Sequence, residues 1–271
     1  MQTQACFSTN PADFDGAAQD PMACMRRLRP LMGTFCAIEA TGTRGAVERA
    51  VAQAFDVMTA IEQQMHPTRA GSDLIKMTTN VGRAVAITPA TWEVIALAQR
   101  ICELSGGVFD PCLPTLPGSV LDVELKASSH VVCHKPMALD LGGIAKGFAA
   151  DQAVEVLQRA GCAGGIVNAG GDLRTFGPAA YPVFVHLPTS DPLHLMLCDA
   201  AIALTDVQFD GRPSEHCGYY TRTGDRRLRR THAAVLAPTA VIADALTKCA
   251  LYCTLAELDV LTGHFSAKVL T

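Results

Sequence analysis

Three things are scarce in this sequence, and each absence removes a class of function. A basic surplus is missing: 22 Lys and Arg face 26 Asp and Glu, for a formal net charge of −4. Such a chain lacks the electrostatic footprint of a nucleic-acid or anionic-membrane binder, so no nucleic-acid partner is expected. Paired cysteines are missing too, because the 11 cysteines are scattered with no CxxC spacing. An odd, unpatterned set fits reduced thiols rather than a disulfide scaffold and points to a cytoplasmic setting. Long apolar runs are also absent, with no stretch of about 18 apolar residues, so no membrane span is expected. Residues 1–24 carry Asp13, Asp15 and Asp20 and have no apolar core. They read as a flexible arm rather than a secretory signal, and the domain is expected over 25–271.

What is present is core-forming material. Of 271 residues 49% are hydrophobic, enough for one large domain or two small ones sharing a core. Residues 31–40 read as a strand entered through Gly33. Residues 44–65 place Val47, Val51, Ala54, Phe55, Met58 and Ile61 on one helical face. Ser72 is an N-cap for a short helical turn, and Thr88 followed by Pro89 predicts a helix running to about Leu104. Glycines and prolines crowd SGGVFDPCLPTLPG around Phe109 and Asp110, which forbids regular structure. That loop either holds Asp110 at a site or simply connects a helix to a strand. A strand or hairpin is expected at 129–140 and further strands at 182–187 and 200–207, and a strand, a Pro238 turn and a helix from about Thr239 close the pattern.

The chain is organised around residues 139–177. An apolar strand ends at Asp140, Gly142 and Gly143 turn the backbone, and Lys146 and Gly147 open a helix that stops at Gly161. A second apolar run then ends in Gly170, Gly171 and Asp172. Glycine serves where φ is positive or where a ligand must approach the backbone, so two diglycines beside Asp140, Lys146 and Asp172 fit an anionic ligand. Tight turns alone would leave the same signature. His130, Cys133 and His134 are metal-ligand residue types, but on a strand Cys133 points away from both histidines, which favours a structural role. Cys249 and Cys253, one helical turn apart, read as packed thiols. The cluster Arg226, Arg227, Arg229 and Arg230 suits a pyrophosphate, a docking partner or an exposed charged turn. Asp244 and Lys248 share a helix face, where either an ordinary surface ion pair or a functional pair fits the spacing.

Six stretches, LMGT at 31, SDLIKMTTN at 72, SGGVFDPCLPTL at 105, LDLGGIAKGFAAD at 139, VNAGGDLRTFG at 167 and APTAVIADAL at 237, occur in an order that resembles the FAD:protein FMN transferase family, often called ApbE. The resemblance covers roughly residues 31–262. It implies a single α+β domain of mixed sheets packed with helices. It further implies FAD as substrate, Mg²⁺, and transfer of FMN to a serine or threonine of an acceptor flavoprotein with release of AMP, by a monomer or homodimer. By the same resemblance Asp244 and the carbonyl of Gly143 fall at metal positions, with Asp244 and Lys248 on the catalytic side. Met32, Val108, Phe109, Asp110, Asp140 and Lys146 would line the flavin and adenine sites, and Gly170, Gly171 and Asp172 would allow close approach of the ligand.

Two departures stand out. Lys248 occupies the place of a metal-holding threonine, and an ammonium cannot coordinate a cation; adjacent Thr247 is rotated by about 100° along a helix. The family's His-x-x-Asp-Pro-Arg-Thr-Gly reads CGYYTRTG at 217, with Cys217 in the histidine's place and so, by the resemblance, at a cofactor-binding position, His216 one position off, Tyr220 for the aspartate, and Arg222, Thr223 and Gly224 retained. Two alternatives therefore stay beside the transferase: an FAD pyrophosphatase that uses water, and a non-catalytic FAD-binding protein.

Overall fold

The computed structural model describes residues 21–186, 193–207 and 228–270. In chain order the elements are β1 (Met22–Leu31), β2 (Thr34–Thr43), α1 (Arg44–Gln64), α2 (Asp73–Thr79), β3 (Ala84–Ala86), α3 (Pro89–Leu104), β4 (Val123–Lys126), β5 (His130–Cys133), α4 (Ala145–Arg159), β6 (Gly164–Ala169), β7 (Asp172–Phe176), β8 (Tyr181–Val185), β9 (Leu193–Leu197), β10 (Ala201–Asp206), β11 (His232–Ala237), α5 (Ala240–Tyr252), α6 (Leu255–Phe265) and β12 (Lys268–Leu270).

Seven strands form the main sheet in the order β1-β2-β6-β7-β10-β11-β12, and its described pairings are all antiparallel. Period-two alternation sets its faces. Cys36, Ile38 and Ala40 of β2 point into the main core, as do Ala233 and Val235 of β11. Helices α1, α4 and α5 pack on that face and on one another. On the opposite face Ile202 and Ala234 meet Val183, Val185 and Leu197 of the β8–β9 hairpin, forming a second, smaller core. A three-stranded sheet, β3-β5-β4, lies with α2 and α3. This is the α+β single domain expected, and among the described residues no helix is long and apolar enough to cross a membrane.

The chain departs from the sequence reading at its first hairpin. Residues 31–40 are not one strand: β1 runs to Leu31, Met32 and Gly33 form a two-residue turn with φ of 56° and 70°, and β2 starts at Thr34. Positive φ at both positions marks a type I′ turn, which suits the twist of paired strands. Strand β1 sits at the sheet edge, largely exposed, and its arginines hide the alternation that would have revealed it. Met22, Ala23 and Cys24 thus belong to the sheet. Of the stretch expected at 129–140, β5 forms at His130–Cys133 and pairs with β4 as a hairpin, while the end near Asp140 reduces to one isolated bridge, Cys112 to Leu139. Strands β9 and β12 and helix α6 add to the expected pattern.

Local chemistry explains several of the motifs. Ser72 Oγ accepts from Ile75 N at 3.2 Å and caps α2. Asp73, 1% exposed, accepts from Lys76 Nζ, Thr88 N, Thr88 Oγ1 and Thr91 Oγ1 at 2.7–2.9 Å, tying α2 to the start of α3. Burial pushes its carboxyl up, and those donors outweigh it and hold the pKa below its ordinary value. His134 pairs with Glu124, and among the described residues no three His, Cys, Asp or Glu side chains are grouped to hold a metal.

Candidate active site

The turn before α4 is built by short-range bonds. Asp140 Oδ1 accepts from Gly142 N at 2.8 Å, and Asp140 N donates to Pro111 O at 2.9 Å, fastening this turn to the 105–118 loop. Leu141 O accepts from Ile144 N and Ala145 N, and α4 begins. Gly147 follows in its first turn, where a Cβ would lie 2.2 Å from Ala240 O. Only glycine lets the start of α4 come this close to the start of α5. The same approach aims Gly147 N at Asp244 Oδ2, 3.1 Å away.

Helix α5 is buried on every side from Ala240 to Leu251, so its polar residues Asp244, Thr247 and Lys248 lie inside the protein. Asp244 is 0% exposed and Lys248 4%. Their i,i+4 spacing gives an ion pair, Lys248 Nζ to Asp244 Oδ1 at 2.5 Å, which is a buried pair and not a helix-surface one. Lys146 Nζ lies 3.9 Å from the same Oδ1 and hydrogen-bonds Asp172 Oδ2. Two lysines and two aspartates thus alternate across α4, β7 and α5. Burial and the Asp244 charge push Asp172 up to about 6 against the pull of Lys146 and Lys248. Burial also works against ionisation of Asp244, but Lys146 and Lys248 prevail and hold its carboxyl below the ordinary range.

Beside this cluster opens a cleft of about 280 Å³, lined by the Met32–Gly33 turn, Glu62, Met65, His66 and Pro67 after α1, the 140–142 turn, and Ala145 and Lys146. Its size sits at the low end of the ~300–1,000 Å³ typical of ligand sites, right for one ring system rather than a whole dinucleotide. Met32 is held in its left-handed conformation while its N–H donates to Glu62 Oε1 at 2.7 Å. A methionine at positive φ is uncommon, and here the two-residue turn between β1 and β2 requires it.

Of the residues singled out from sequence, the cleft brings together Met32, Asp140 and Lys146, with Asp172 joined through Lys146. Gly170 and Gly171, both at positive φ, turn β6 into β7 and deliver Asp172 to that lysine. Val108, Phe109 and Asp110 are buried and are not in the cleft wall. Asp110 organises its own loop, accepting from Cys112 N, Val120 N and Ser119 Oγ. Phe109 and the stem of Lys248 both pack against Gly143, where a Cβ would lie 3.7 Å from Phe109 Cε2 and 3.5 Å from Lys248 Cε. Glu62, Met65 and His66 were not legible as site residues, because the end of an amphipathic helix carries no signal of what folds over it.

Two polar features resolve elsewhere. Thr247 Oγ1 donates to Asp244 O at 2.7 Å and meets Thr205 Oγ1 at 2.7 Å, so its hydroxyl is engaged away from the Asp244 carboxylate. Arg229 and Arg230 donate to the carbonyls of Ala250, Leu251, Tyr252 and Cys253 and close the C-terminal end of α5. Cys217, His216, Tyr220, Arg222, Thr223, Gly224, Arg226 and Arg227 lie outside the described residues.

The donor set does not fit a resident Mg²⁺ at Asp244. Hard divalent ions need several oxygen ligands, whereas here one carboxylate oxygen carries the Lys248 ammonium and the other the Gly147 N–H. The Lys248 stem also lies against Gly143 while its ammonium bonds Asp244, the two positions expected to bracket a metal.

Relatives in sequence and structure agree with this architecture. A protein of Treponema pallidum (strain Nichols) named FAD:protein FMN transferase is 25% identical over 185 residues. That match takes in 56% of this chain and spans about half, 51%, of the relative's length. Among solved structures, the ApbE protein of Thermotoga maritima superposes with a TM-score of 0.76 at 21% identity, covering 92% of this chain and 94% of that one. A flavin transferase ApbE from Vibrio cholerae gives 0.76 at 18% identity, covering 92% and 93%. A sequence model of the ApbE family matches residues 32–120 and 115–264, which is most of the chain, and the protein therefore belongs to the ApbE family.

Proposed function

We propose that this chain binds FAD and transfers its FMN moiety to a serine or threonine hydroxyl of an acceptor flavoprotein, with release of AMP. The observation that carries the reading is the cleft's position: an apolar slot between the Met32–Gly33 turn and the 140–142 turn, ending at the Lys146 ammonium. A flat ring system suits the slot, and an anionic pyrophosphate suits the lysine end beside the first turn of α4. The name of the Treponema pallidum relative supports the same chemistry.

In this reading the acceptor oxygen attacks the FMN phosphorus in line. The phosphorus–oxygen bond to AMP breaks, AMP leaves with the bridging oxygen, and the hydroxyl proton is given up to water. Lys146, 26% exposed in its side chain and anchored on Asp172, faces the charge on the pyrophosphate. Asp140 holds the turn that shapes the pocket, and no step is routed through a metal.

The test is AMP release from FAD by the purified full chain, with and without an acceptor peptide carrying Ser or Thr. Acceptor-dependent AMP together with a flavinylated peptide is the expected result. AMP and free FMN without acceptor would mean a pyrophosphatase; FAD binding with no AMP would mean a binding protein that retains the pocket.

A further inference from the structure

Lys248 is a cation in a place where the protein has every reason to avoid one. Its side chain is 6% exposed, and burying an ammonium costs several kcal/mol unless it is paired and hydrogen-bonded. Pairing is supplied by Asp244 Oδ1 at 2.5 Å. An ammonium carries three N–H donors, and among the described residues that aspartate is the one hydrogen-bond partner of Lys248. Two of its three donors are thus left without a partner among the described residues. The stem is laid against Gly143 in the turn that opens α4, which together with the Asp244 bond positions the charge. Together with Lys146 it puts two ammonium groups beside one carboxylate, with the second carboxylate, Asp172, bound to Lys146.

We propose that the Lys248 ammonium is a built-in cation that replaces a divalent metal between Gly143 and Asp244, so that this chain engages a pyrophosphate without one. The inference rests on the flavin reading for the identity of the pyrophosphate; the replacement of the metal stands on the Asp244 geometry alone. A neutral hydroxyl at position 248 would leave Gly143 and Oδ1 of Asp244 open to an ion. Lysine instead occupies the gap and brings one positive charge where a metal would bring two. Asp244 with Lys248 sums to zero, whereas Asp244 with a divalent ion sums to one positive charge. Phosphate oxygens are still met by N–H donors, but with less charge, so binding by this chain should ignore divalent ions.

The experiment has two arms on the full chain. In the first, Mn²⁺ binding without flavin is read by electron paramagnetic resonance for the wild type, Lys248→Thr and the Lys248→Thr/Asp244→Asn double variant. The wild type should bind no Mn²⁺, Lys248→Thr should gain a site, and the double variant should lose it. Mn²⁺ uptake by the wild type that disappears in Asp244→Asn overturns the proposal, and this comparison stands even if Lys248→Thr folds poorly. In the second arm, FAD is titrated by flavin fluorescence in EDTA and in excess Mg²⁺. The wild-type Kd should agree within about twofold between the two buffers, and Lys248→Met should weaken FAD by about tenfold in both. A wild-type affinity that falls tenfold or more on chelation, or a Lys248→Met affinity equal to wild type, overturns the proposal. If the wild type binds no FAD in either buffer, the flavin reading fails, and the Mn²⁺ arm alone decides whether lysine has displaced the metal.

Discussion

An aspartate and a lysine four residues apart on a helix are ordinarily a solvated pair worth a few tenths of a kcal/mol. In α5 the same spacing lies in the core, and the difference is the helix around it, which carries no other charge between Ala240 and Tyr252. Another carboxylate, 13% exposed in its side chain, follows similar logic. Asp151 of α4 accepts from Ala240 N at 2.9 Å and Val241 N at 2.8 Å, capping α5, with Arg174 Nε 3.5 Å away. Burial is the dominant influence and pushes its pKa up to about 6, against the pull of those N–H groups and Arg174. A folded pKa above the unfolded one means that between about pH 4 and 6 the folded protein keeps a proton the unfolded chain has lost. Stability should therefore fall as pH rises through that window, by roughly 2–3 kcal/mol from this group. Urea denaturation at several pH values checks it: Asp151→Asn should show a shallower fall between pH 4 and 6 than wild type, and parallel curves would refute the assignment.

At the scale of elements, the contact between the starts of α4 and α5 positions the site. It aims Gly147 N at Asp244, lets Asp151 cap α5, and sets Lys146 between Asp172 and Asp244. Gly147→Ala would place a methyl 2.2 Å from Ala240 O, against backbone that cannot turn aside. The expected loss is on the order of 3 kcal/mol, with weaker FAD binding because the charge cluster is pulled apart. The same substitution at Gly263 in α6 meets nothing within 4 Å, so it should stabilise by about 0.5–1 kcal/mol through helix propensity. Thermal unfolding of the two variants gives opposite signs if the geometry is right. Equal shifts would mean that the two helices are not in this close contact.

Taken whole, the molecule is a seven-stranded antiparallel sheet with a helical layer on one face and a short hairpin on the other. The cleft draws on segments far apart in the chain, from the first hairpin, the end of α1 and the turn before α4. A ligand seated there should stabilise the whole domain, because it bridges parts that unfolding separates. At about one hundred times its Kd, FAD should add about 2.7 kcal/mol and raise Tm by roughly 5 °C or more. Differential scanning fluorimetry in rising FAD is the check. A Tm that does not move at any FAD concentration would remove the cleft as a flavin site.

Much of this was legible in the residues themselves. The 3.6-residue period of α1, the Thr88–Pro89 start of α3 and the diglycine before Asp172 are local signals, and they mark the observed elements because capping, periodicity and positive φ depend on nearby residues. The ordered motifs identified the family for a related reason: they hold the turns that bring the sheet, α4 and α5 together. What sequence did not determine was the direction in which polar side chains point once layers pack. Asp110, in the most conspicuous glycine- and proline-rich loop, turns inward to its own loop, whereas Glu62 and His66, at the end of an ordinary amphipathic helix, face the cleft. Nor did it fix whether Asp244 and Lys248 met water or the core. That was decided by the burial of α5 beneath its neighbours, since the same i,i+4 pair is a weak surface contact in water and a fixed, mutually dependent charge pair inside the protein.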